Sequence, residues 1–429
     1  MPFEYPAHAR KRIAVIGGGI SGMGAAHLLA ERHDVTLYEA EGRLGGHART
    51  IMAGKRGDQP VDTGFIVFNY ANYPHLAALF DKLDVPVVRS DMSFGASING
   101  GRLEYGLADA RAVFAQRRNA VNPMFLKMLR DVLRFNARAL GVARDPSLTI
   151  AEFLERLGTG RWFRDYYLLP LSGAIWSTPT RQILDFPAAA MIRFFENHAL
   201  LHHTGQHQWY TVQGGSVAYV ARLERAMRAQ GVALRPGCPV ESVRRDWGRV
   251  QVRARGDWET YDEAVFATHS DDTLRLLADP TPDERRDLGA IRYQPNDIVL
   301  HSDTSVMPKR RAVWSSWNYT ETAGKRDGQI DLTYWMNRLQ PIPMDDLHFV
   351  TLNSTRPIRE DLIHDQTVLR HPVYDLAALA AQDRIRRANG RDHTWFCGAW
   401  MRNGFHEDGL SSAVDVARAI GADRVSVAA

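Results

Sequence analysis

Three glycines near the start of the chain have the types and spacing of a phosphate-binding turn. Gly17, Gly19 and Gly22 form a G-x-G-x-x-G frame directly after an apolar run. In this frame the first glycine permits a tight turn, the second lets the backbone approach a pyrophosphate, and the third lets helix and strand pack closely. The N–H groups of the following helix start, which includes Ile20 and Ser21, favour an anion. The pattern therefore predicts a dinucleotide-binding turn.

An acidic residue follows the next predicted strand at the distance that a nucleotide requires. Glu39 lies 22 positions after Gly17, with Ala40 beside it. A carboxylate there accepts hydrogen bonds from the ribose of an adenosine. One alternative is a glycine-rich turn in another fold, and a second is a membrane span, because residues 13–30 hold no charged side chain. Five glycines in that range favour a buried strand followed by a helix.

The segment GRLGGHART at 42–50 resembles the flavin-containing amine oxidase and carotenoid desaturase superfamily, in which a G-R-x-G-G-R segment follows the dinucleotide turn. The resemblance implies FAD as cofactor. It also implies that Gly45 and Gly46 lie close to the pyrophosphate and that Arg43 and Arg49 add positive charge there. This sequence departs from the family pattern at His47, where the family often has arginine.

The resemblance extends over four more segments. They lie at 61–69, 237–243, 264–270 and 394–420. In the family these segments pass the flavin, contact the adenine, add a sheet strand and form the C-terminal FAD motif. The residues implied as FAD contacts in them are Thr63, Gly64, Phe65, Val240, Gly398, Gly409 and Leu410, with a helix starting near Leu410.

The length of 429 residues exceeds what one core usually supports. We expect an α/β fold with a Rossmann-like FAD-binding domain of the amine oxidase type and an inserted α+β substrate domain. The FAD-binding segments are predicted at 1–95, 209–275 and 391–429. The substrate domain is predicted at 96–208, mainly helical, and at 276–390, rich in strands.

Local patterns inside the substrate domain predict several elements. Apolar residues at helical spacing predict helices at 123–140, 149–157 and 185–201. Thr149 followed by Glu152 is typical of a capped helix start. Between 290 and 352 the alternation of residue types favours strands.

The composition excludes some functions and leaves others open. Lys and Arg number 53 against 49 Asp and Glu, an excess too small to indicate nucleic-acid binding. Two cysteines without a C-x-x-C spacing exclude a disulfide framework and fit a reducing compartment. With no apolar leader and no transmembrane pattern, we expect a cytoplasmic protein. Arg130–Arg138 could lie beside anionic headgroups, which leaves a peripheral contact with the inner membrane open.

Four histidines lie close together before the second FAD-binding segment. They are His198, His202, His203 and His207. An imidazole titrates near neutral pH, so one of them could accept a proton in the flavin cavity. Their i, i+4 spacings also suit a metal, and a polar helix end is the third interpretation. We predict no metal, because no neighbouring carboxylate completes a ligand set.

A fifth candidate lies in the C-terminal motif. Counting back from Gly409, the resemblance places His406 where amine oxidases have an aromatic side chain against the flavin. We predict a catalytic role for His406. For Asp408 the better interpretation is capping of the following helix.

Two reactions remain open from the sequence. Amine oxidases of this superfamily generally hold a lysine near the flavin, yet the comparable segment at 294–303 has none. The segments at 61–76, 310–319 and 404–410 resemble a bacterial group of NAD/FAD-binding flavoproteins. That group includes desaturases of methyl-branched fatty acyl chains in furan fatty acid synthesis. A flavoprotein without catalysis is a third class.

We expect an FAD-dependent desaturase whose substrate is a fatty acyl chain or a phospholipid. Without a second dinucleotide frame, a dedicated NADPH site is not expected on this chain. The electron acceptor is left open, with oxygen and a quinone both compatible. The aromatic residues at 162–195 and 314–335 suit a long tunnel, although core packing explains most of them.

Overall fold

A computed structural model describes residues 10–176, 182–201, 207–323 and 331–421. In chain order the strands are β1 (Arg12–Ile16), β2 (Asp34–Tyr38), β3 (Thr50–Ala53), β4 (Gln59–Asp62), β5 (Val67–Phe68), β6 (Val87–Ser90), β7 (Phe94–Ile98), β8 (Leu103–Gly106), β9 (Trp209–Val212), β10 (Ala233–Arg235), β11 (Val240–Asp246), β12 (Arg249–Ala254), β13 (Asp257–Tyr261), β14 (Glu263–Phe266), β15 (Arg292–His301), β16 (Trp317–Thr320), β17 (Asp331–Trp335), β18 (Phe349–Leu352), β19 (Ile363–Val373) and β20 (Thr394–Phe396). The helices are α1 (Ile20–Leu29), α2 (Pro74–Lys82), α3 (Ala110–Val113), α4 (Pro123–Val142), α5 (Ile150–Leu157), α6 (Arg161–Phe163), α7 (Leu169–Trp176), α8 (Ala188–Asn197), α9 (Val217–Ala229), α10 (Ser270–Leu276), α11 (Pro282–Gly289), α12 (Met336–Leu339), α13 (Leu376–Ala388) and α14 (His406–Ala419).

Within the described ranges, a parallel sheet of five strands runs in the order β10-β2-β1-β14-β20. Its strands come from distant parts of the chain, and β1 in the middle is almost completely buried. A parallel sheet needs cover on both faces, and α1 and α14 supply part of it. The predicted α/β class is confirmed by this architecture.

A second, mixed sheet forms the other large layer. Within the described ranges its order is β19-β15-β18-β17-β16-β7-β8, with only β16 and β7 parallel. The helices α4 to α8 pack their apolar faces into the same hydrophobic cluster as this sheet. Between α6 and α7 the helix makes a π turn over Arg164–Leu168, a feature that often marks functional sites.

Most local predictions for this part agree with the structure, and the differences have local causes. α4 extends two residues beyond the prediction, and Thr149 with Glu152 forms a complete capping box on α5. The helix predicted at 185–201 is shorter, because Pro187 precedes its first turn and Ala199 leaves the helical conformation with φ +54°. α14 begins at His406 instead of near Leu410.

One buried carboxylate connects the two large layers. Asp62, at the end of β4, accepts hydrogen bonds from Ser216 N (2.9 Å), Ser216 Oγ (2.7 Å) and Thr50 Oγ1 (2.5 Å). Its other oxygen accepts from Gln340 Nε2 (2.9 Å), which lies just after α12. Burial raises the pKa of Asp62 to about 6. A buried carboxylate is tolerated because these donors satisfy it.

Two further observations bear on the chain's surroundings. Cys238 and Cys397 are both buried free thiols. In the described parts of the chain, each helix is too short or too polar to cross a bilayer.

Candidate functional site

The first glycine turn has no room for side chains. Gly17 has a φ of +106°, and a Cβ atom there would lie 2.9 Å from the carbonyl carbon and oxygen of Ala267. At Gly22 a Cβ atom would lie 1.8 Å from the carbonyl oxygen of Gly17. The turn is therefore possible only with glycine at both positions, because any other residue would push α1 away from β1.

A second glycine turn lies against the first. Gly45 N donates to the carbonyl oxygen of Gly18 over 2.8 Å, and a Cβ atom at Gly46 would lie 3.1 Å from Gly19 Cα. At Gly19 the position of a Cβ atom has no neighbour within 4 Å. Gly19 thus presents bare backbone to an open space at the start of α1.

The segment predicted to pass the flavin is fixed by the same kind of contact. A Cβ atom at Gly64 would lie 2.0 Å from the carbonyl oxygen of His47. The same oxygen accepts a hydrogen bond from Phe65 N over 2.8 Å. The backbone after β4 therefore lies directly on the second glycine turn.

Glu39 lies beside these turns and stabilises them. Its Oε2 accepts from Gly18 N over 2.5 Å, and its Oε1 accepts from Glu41 N over 2.7 Å. Both bonds hold the carboxylate at the rim of the open space. Its predicted ribose contact remains a prediction.

The open space is one continuous cavity of about 1290 Å³. This volume exceeds the roughly 300–1,000 Å³ of common ligand pockets, so it can hold a dinucleotide together with a second molecule. The predicted cofactor residues that line it are Gly17, Gly19, Ile20, Ser21, Glu39, Ala40, Gly45, Gly46, His47, Thr63, Gly64, Phe65, Val240 and Gly398.

Four predicted cofactor residues are not among those that line this cavity. Gly22 packs on Gly17, and Gly409 with Leu410 packs α14 against α1. The Arg43 guanidinium donates to the carbonyl oxygens of Gly46 (3.0 Å) and Ala48 (3.3 Å). Arg43 therefore supports the shape of the second glycine turn, and its direct contact with a phosphate remains a prediction.

The other half of the cavity is an apolar chamber. We use this name for the part lined by α4, α7, α8 and the second sheet. Its large apolar and aromatic residues are Met92, Phe94, Leu107, Leu129, Val132, Tyr167, Leu171, Ile175, Trp176, Phe194, Leu200, Trp209, Ile298, Trp317, Tyr334, Leu352 and Phe405. The chamber and the glycine turns share one space, so a molecule in the chamber can approach the cofactor end.

His406 lies between the two halves, at the first position of α14. Its ring stacks on Phe65 with a centroid distance of 4.0 Å, and its Nε2 lies 2.5 Å from the hydroxyl of Tyr219. Burial, with a smaller contribution from the charge of His47, lowers the pKa of His406 to about 3. The imidazole is neutral at pH 7, and its Nε2 is already hydrogen-bonded.

His198 lies at the wall of the apolar chamber, directly after α8. Its ring stacks on Phe194 with a centroid distance of 3.8 Å, and its Nδ1 is 2.9 Å from the carbonyl oxygen of the same residue. A carbonyl can only accept, so Nδ1 carries the proton and Nε2 keeps its lone pair. Burial lowers the pKa of His198 to about 4.

The remaining histidines of that cluster have other positions. His207 does not line the cavity, and its Nε2 is 3.2 Å from the carbonyl oxygen of Asn197. His202 and His203 lie outside the described residues. The catalytic roles predicted for these three residues remain predictions.

A second group of histidines, of which the sequence singled out only His47, borders the cofactor end. The ring of His47 lies 5.8 Å from that of His269 and 5.6 Å from that of His371. Burial lowers the pKa of His269 to about 2 and that of His371 to about 3. These rings are therefore neutral polar walls of the cavity at pH 7.

One group in the described residues has the geometry of a metal site: His269 with Asp271 and Asp272. Arg370 forms ion pairs with both carboxylates, at 2.5 Å to Asp271, and Arg275 pairs with them as well. Because two guanidinium groups already neutralise these carboxylates, the arrangement disfavours a further cation.

Sequence reasoning also missed Tyr219, Trp209 and Tyr374. Trp209 and Tyr374 line the cavity, and Tyr219 contacts His406. No local pattern distinguishes them from core aromatics, since each reaches the site from a distant part of the chain. Only Trp209, next to the histidine cluster, was close enough in sequence to be suspected.

Comparison with known proteins decides the family. Residues 20–421 match the family described as flavin containing amine oxidoreductase. The chain belongs to this family. The match begins at Ile20, where α1 starts, and spans the second glycine turn and the C-terminal motif, so the resemblance is confirmed at family level.

Solved structures share the fold over nearly the whole chain. A CLA-producing fatty acid isomerase from P. acnes is 14% identical with a TM-score of 0.70, covering 97% of this chain and 100% of that one. A putrescine oxidase bound to putrescine is 13% identical with a TM-score of 0.68, covering 96% and 99%. At such identities the similarity shows the fold alone.

Curated relatives match only short segments. Protoporphyrinogen oxidase 2 of Arabidopsis thaliana is 51% identical over 50 residues, which is 11% of this chain and 10% of that protein. The chain spans about a tenth of the length of the curated relatives it matches. Matches this short give no information about the substrate of this chain.

The protein is a flavin-dependent oxidoreductase with FAD as its cofactor. The structure fits this group, because Gly19 and Gly46 leave bare backbone at a helix start where a diphosphate needs space and N–H donors. Glu39 and Val240 would hold the adenosine end, and Gly398 with Phe65 would border the flavin end.

Gly19→Val should weaken FAD binding without unfolding the protein. Its Cβ position is unobstructed by protein atoms, so the side chain enters the cavity and overlaps the cofactor, at a cost of about 1–3 kcal/mol, which is about 5- to 150-fold in affinity. Flavin absorbance of the purified protein and FAD titration of the apoprotein measure this. Gly42→Val is the matched control, since Gly42 also has no neighbour within 4 Å and lies outside the cavity. Equal flavin content in both variants would contradict the cofactor placement.

Proposed function

We propose that the protein dehydrogenates a carbon–carbon bond of a long-chain, methyl-branched fatty acyl lipid. The observation that supports this most is the apolar chamber, which opens directly onto the cofactor end of the cavity. A chamber walled by aromatic and aliphatic side chains gains free energy by removing an acyl chain from water, at about 0.8 kcal/mol per CH₂ group. Its size suits an extended apolar molecule better than a small polar one.

The charges around the chamber argue against an amine. Among the described cavity residues there is no lysine, and β15, where one was sought, has none either. The carboxylate on the chamber side, Asp91, forms an ion pair with Arg338 at 3.1 Å. A cationic amine would therefore lose its hydration without gaining a free anionic partner.

Known structures support both candidates in part. The fatty acid isomerase with the same fold shows that this architecture can serve a fatty acid in that protein. The putrescine oxidase shows the same for a diamine. Oxidation of a primary or secondary amine is therefore the alternative, and the two are separated by experiment below.

The reaction removes a hydride from one carbon and a proton from its neighbour, leaving a double bond. Bound FAD supplies the hydride acceptor. The chain itself must hold the acyl carbons in place and take up the proton. We propose that Nε2 of His198 takes it, because its Nδ1–H is committed to the Phe194 carbonyl and its lone pair is available. His406, whose Nε2 is hydrogen-bonded to the hydroxyl of Tyr219, then positions the substrate between the flavin and the apolar chamber.

Anaerobic mixing tests the reaction class. Methyl-branched unsaturated phospholipid, or its free acid, should bleach the flavin absorbance of the holoprotein, while putrescine and benzylamine should leave it unchanged. Mass spectrometry of the recovered lipid should show a loss of two hydrogens. Bleaching by amines alone would replace the lipid proposal with amine oxidation, and no bleaching by either class would favour a flavoprotein without catalysis.

His198→Gln should lower the rate constant of flavin reduction by about 10²–10⁴ and leave the FAD content unchanged, since glutamine cannot accept the proton. Stopped-flow absorbance under anaerobic conditions measures the rate constant. His207→Gln is the matched control, because His207 lies nine residues away and outside the cavity. If His406→Ala abolishes reduction and His198→Gln does not, the proton acceptor is His406.

The reduction rate constant should stay unchanged from pH 8 down to about pH 5. His198 must be neutral to accept a proton, and burial lowers its pKa to about 4, so the neutral form persists well below pH 6.5. A histidine with an ordinary pKa would be about 97% protonated at pH 5 and would show an approximately thirtyfold loss. Circular dichroism at each pH checks that the protein stays folded, and a midpoint near pH 6.5 would contradict the assignment.

A further inference from the structure

The long helix α4 has three distinct faces. Phe125, Met128 and Phe135 are buried in the core. A neighbouring face, with Leu129 and Val132, lines the apolar chamber. The third face points outward and is the unusual one.

The outward face carries leucines where a helix facing water carries polar residues. Leu126, Leu133 and Leu140 are 43%, 54% and 44% exposed. They recur at a spacing of seven residues, with Ala137 between the last two, and so form one line along the helix. We call these four residues the α4 stripe.

The exposed apolar residues are concentrated here. Of the fourteen large hydrophobic side chains that are exposed in the described residues, five fall within 121–140. Val121, two residues before the helix, is 80% exposed. Single exposed apolar residues are common, whereas a cluster of them indicates a contact surface.

The charge around the stripe identifies the contact. Residues 117–144 contain seven basic side chains and one acidic one, Asp131, which is buried and paired with Lys127. Among the described residues Arg130, Arg138 and Arg144 are exposed and have no ion-pair partner. Leucines flanked by unpaired arginines match an interface of anionic headgroups over acyl chains. A protein partner would need acidic groups that complement these arginines. The described surface shows nothing that points to such a partner.

The stripe is continuous with the chamber. Leu133 on the stripe and Leu129 in the chamber wall lie about 40° apart around the helix. The chamber also reaches the surface at Leu107, which is 36% exposed and lines the cavity. Tyr105, two residues earlier, packs edge-on against Phe125 of α4 with a centroid distance of 5.7 Å.

We propose that the outward face of α4 docks on an anionic phospholipid bilayer. The α4 stripe enters the interface, and Arg130 and Arg138, which lie on the side of the stripe away from the chamber face, bind phosphate groups. Because the chamber opens beside the same helix, a lipid chain can pass from the bilayer into the cavity without crossing water. The docking itself does not depend on which reaction the cavity performs.

Co-sedimentation of the holoprotein with vesicles tests the docking. We expect binding to phosphatidylcholine vesicles that contain about one third phosphatidylglycerol, weakening at high salt, and little binding to pure phosphatidylcholine. The triple variant Leu126→Ser/Leu133→Ser/Leu140→Ser should bind at least about tenfold more weakly. Arg130→Gln/Arg138→Gln should bind about thirtyfold more weakly.

Matched controls come from exposed residues elsewhere. Trp247→Ser/Met344→Ser removes two exposed apolar side chains, and Arg225→Gln/Arg387→Gln removes two exposed arginines; both should bind like the parent. Flavin content and circular dichroism show that every variant is folded. Loss of binding in the Trp247 variant with full binding by the stripe variant would overturn the proposal, as would equal binding to neutral and anionic vesicles.

A fluorescent label gives a second, independent readout. Both native cysteines are buried, so Leu133→Cys can be labelled selectively with an environment-sensitive maleimide. Anionic vesicles should shift its emission to the blue, while the same label at Trp247→Cys should not respond. No shift at Leu133→Cys on bound vesicles would place the contact on another surface and overturn the assignment of α4.

Discussion

The structure depends on a direct contact between two stretches of bare backbone. Gly18 and Gly45 are joined by a hydrogen bond of 2.8 Å between main-chain atoms, an approach that side chains at the neighbouring Gly46 would block. This contact sets the distance between the start of α1 and the second glycine turn, and so sets the width of the cleft that takes the diphosphate. The segment after β4 rests on the same turn through the His47 carbonyl. A side chain added at one of these glycines would therefore displace the walls of the cofactor end.

The second constraint is how the substrate-side layer is held against this cleft. Asp62 accepts donors from the start of α9 and from Gln340, and Arg49 pairs with Asp365 of β19 through two nitrogens, at 2.6 and 3.0 Å. The bonds to Asp62 are expensive to break, since a buried carboxylate without its donors keeps its desolvation cost, and the partly buried pair of Arg49 and Asp365 adds a second link. These links fix the second sheet, and with it the apolar chamber, at a constant distance from the glycine turns.

The sequence could predict those features that depend only on residues close together in the chain. The glycine frame, the capping box of Thr149 and the role of Asp408, which accepts from Phe405 N over 2.9 Å, follow from local chemistry. Glu407, directly before Asp408, instead accepts from His75 N and Leu76 N at the start of α2, more than 300 residues away. The pair of Tyr219 with His406 joins residues 187 positions apart. Such contacts arise when the layers pack, and no spacing in the chain encodes them.

Burial affects both the protonation of the cavity histidines and the kind of molecule that the cavity can take. The same apolar walls that favour an acyl chain remove water from the imidazoles, and this lowers the pKa of His198 and His406 to about 4 and 3. An environment that keeps an imidazolium from forming also penalises an ammonium group of a substrate, because both cations lose hydration without an available anion. In the proposed function, the neutral state of His198 and the preference for a neutral, apolar substrate therefore both follow from the low polarity of the cavity. It follows that a polar side chain added to the chamber wall would alter the preference for substrate and the basicity of His198 together.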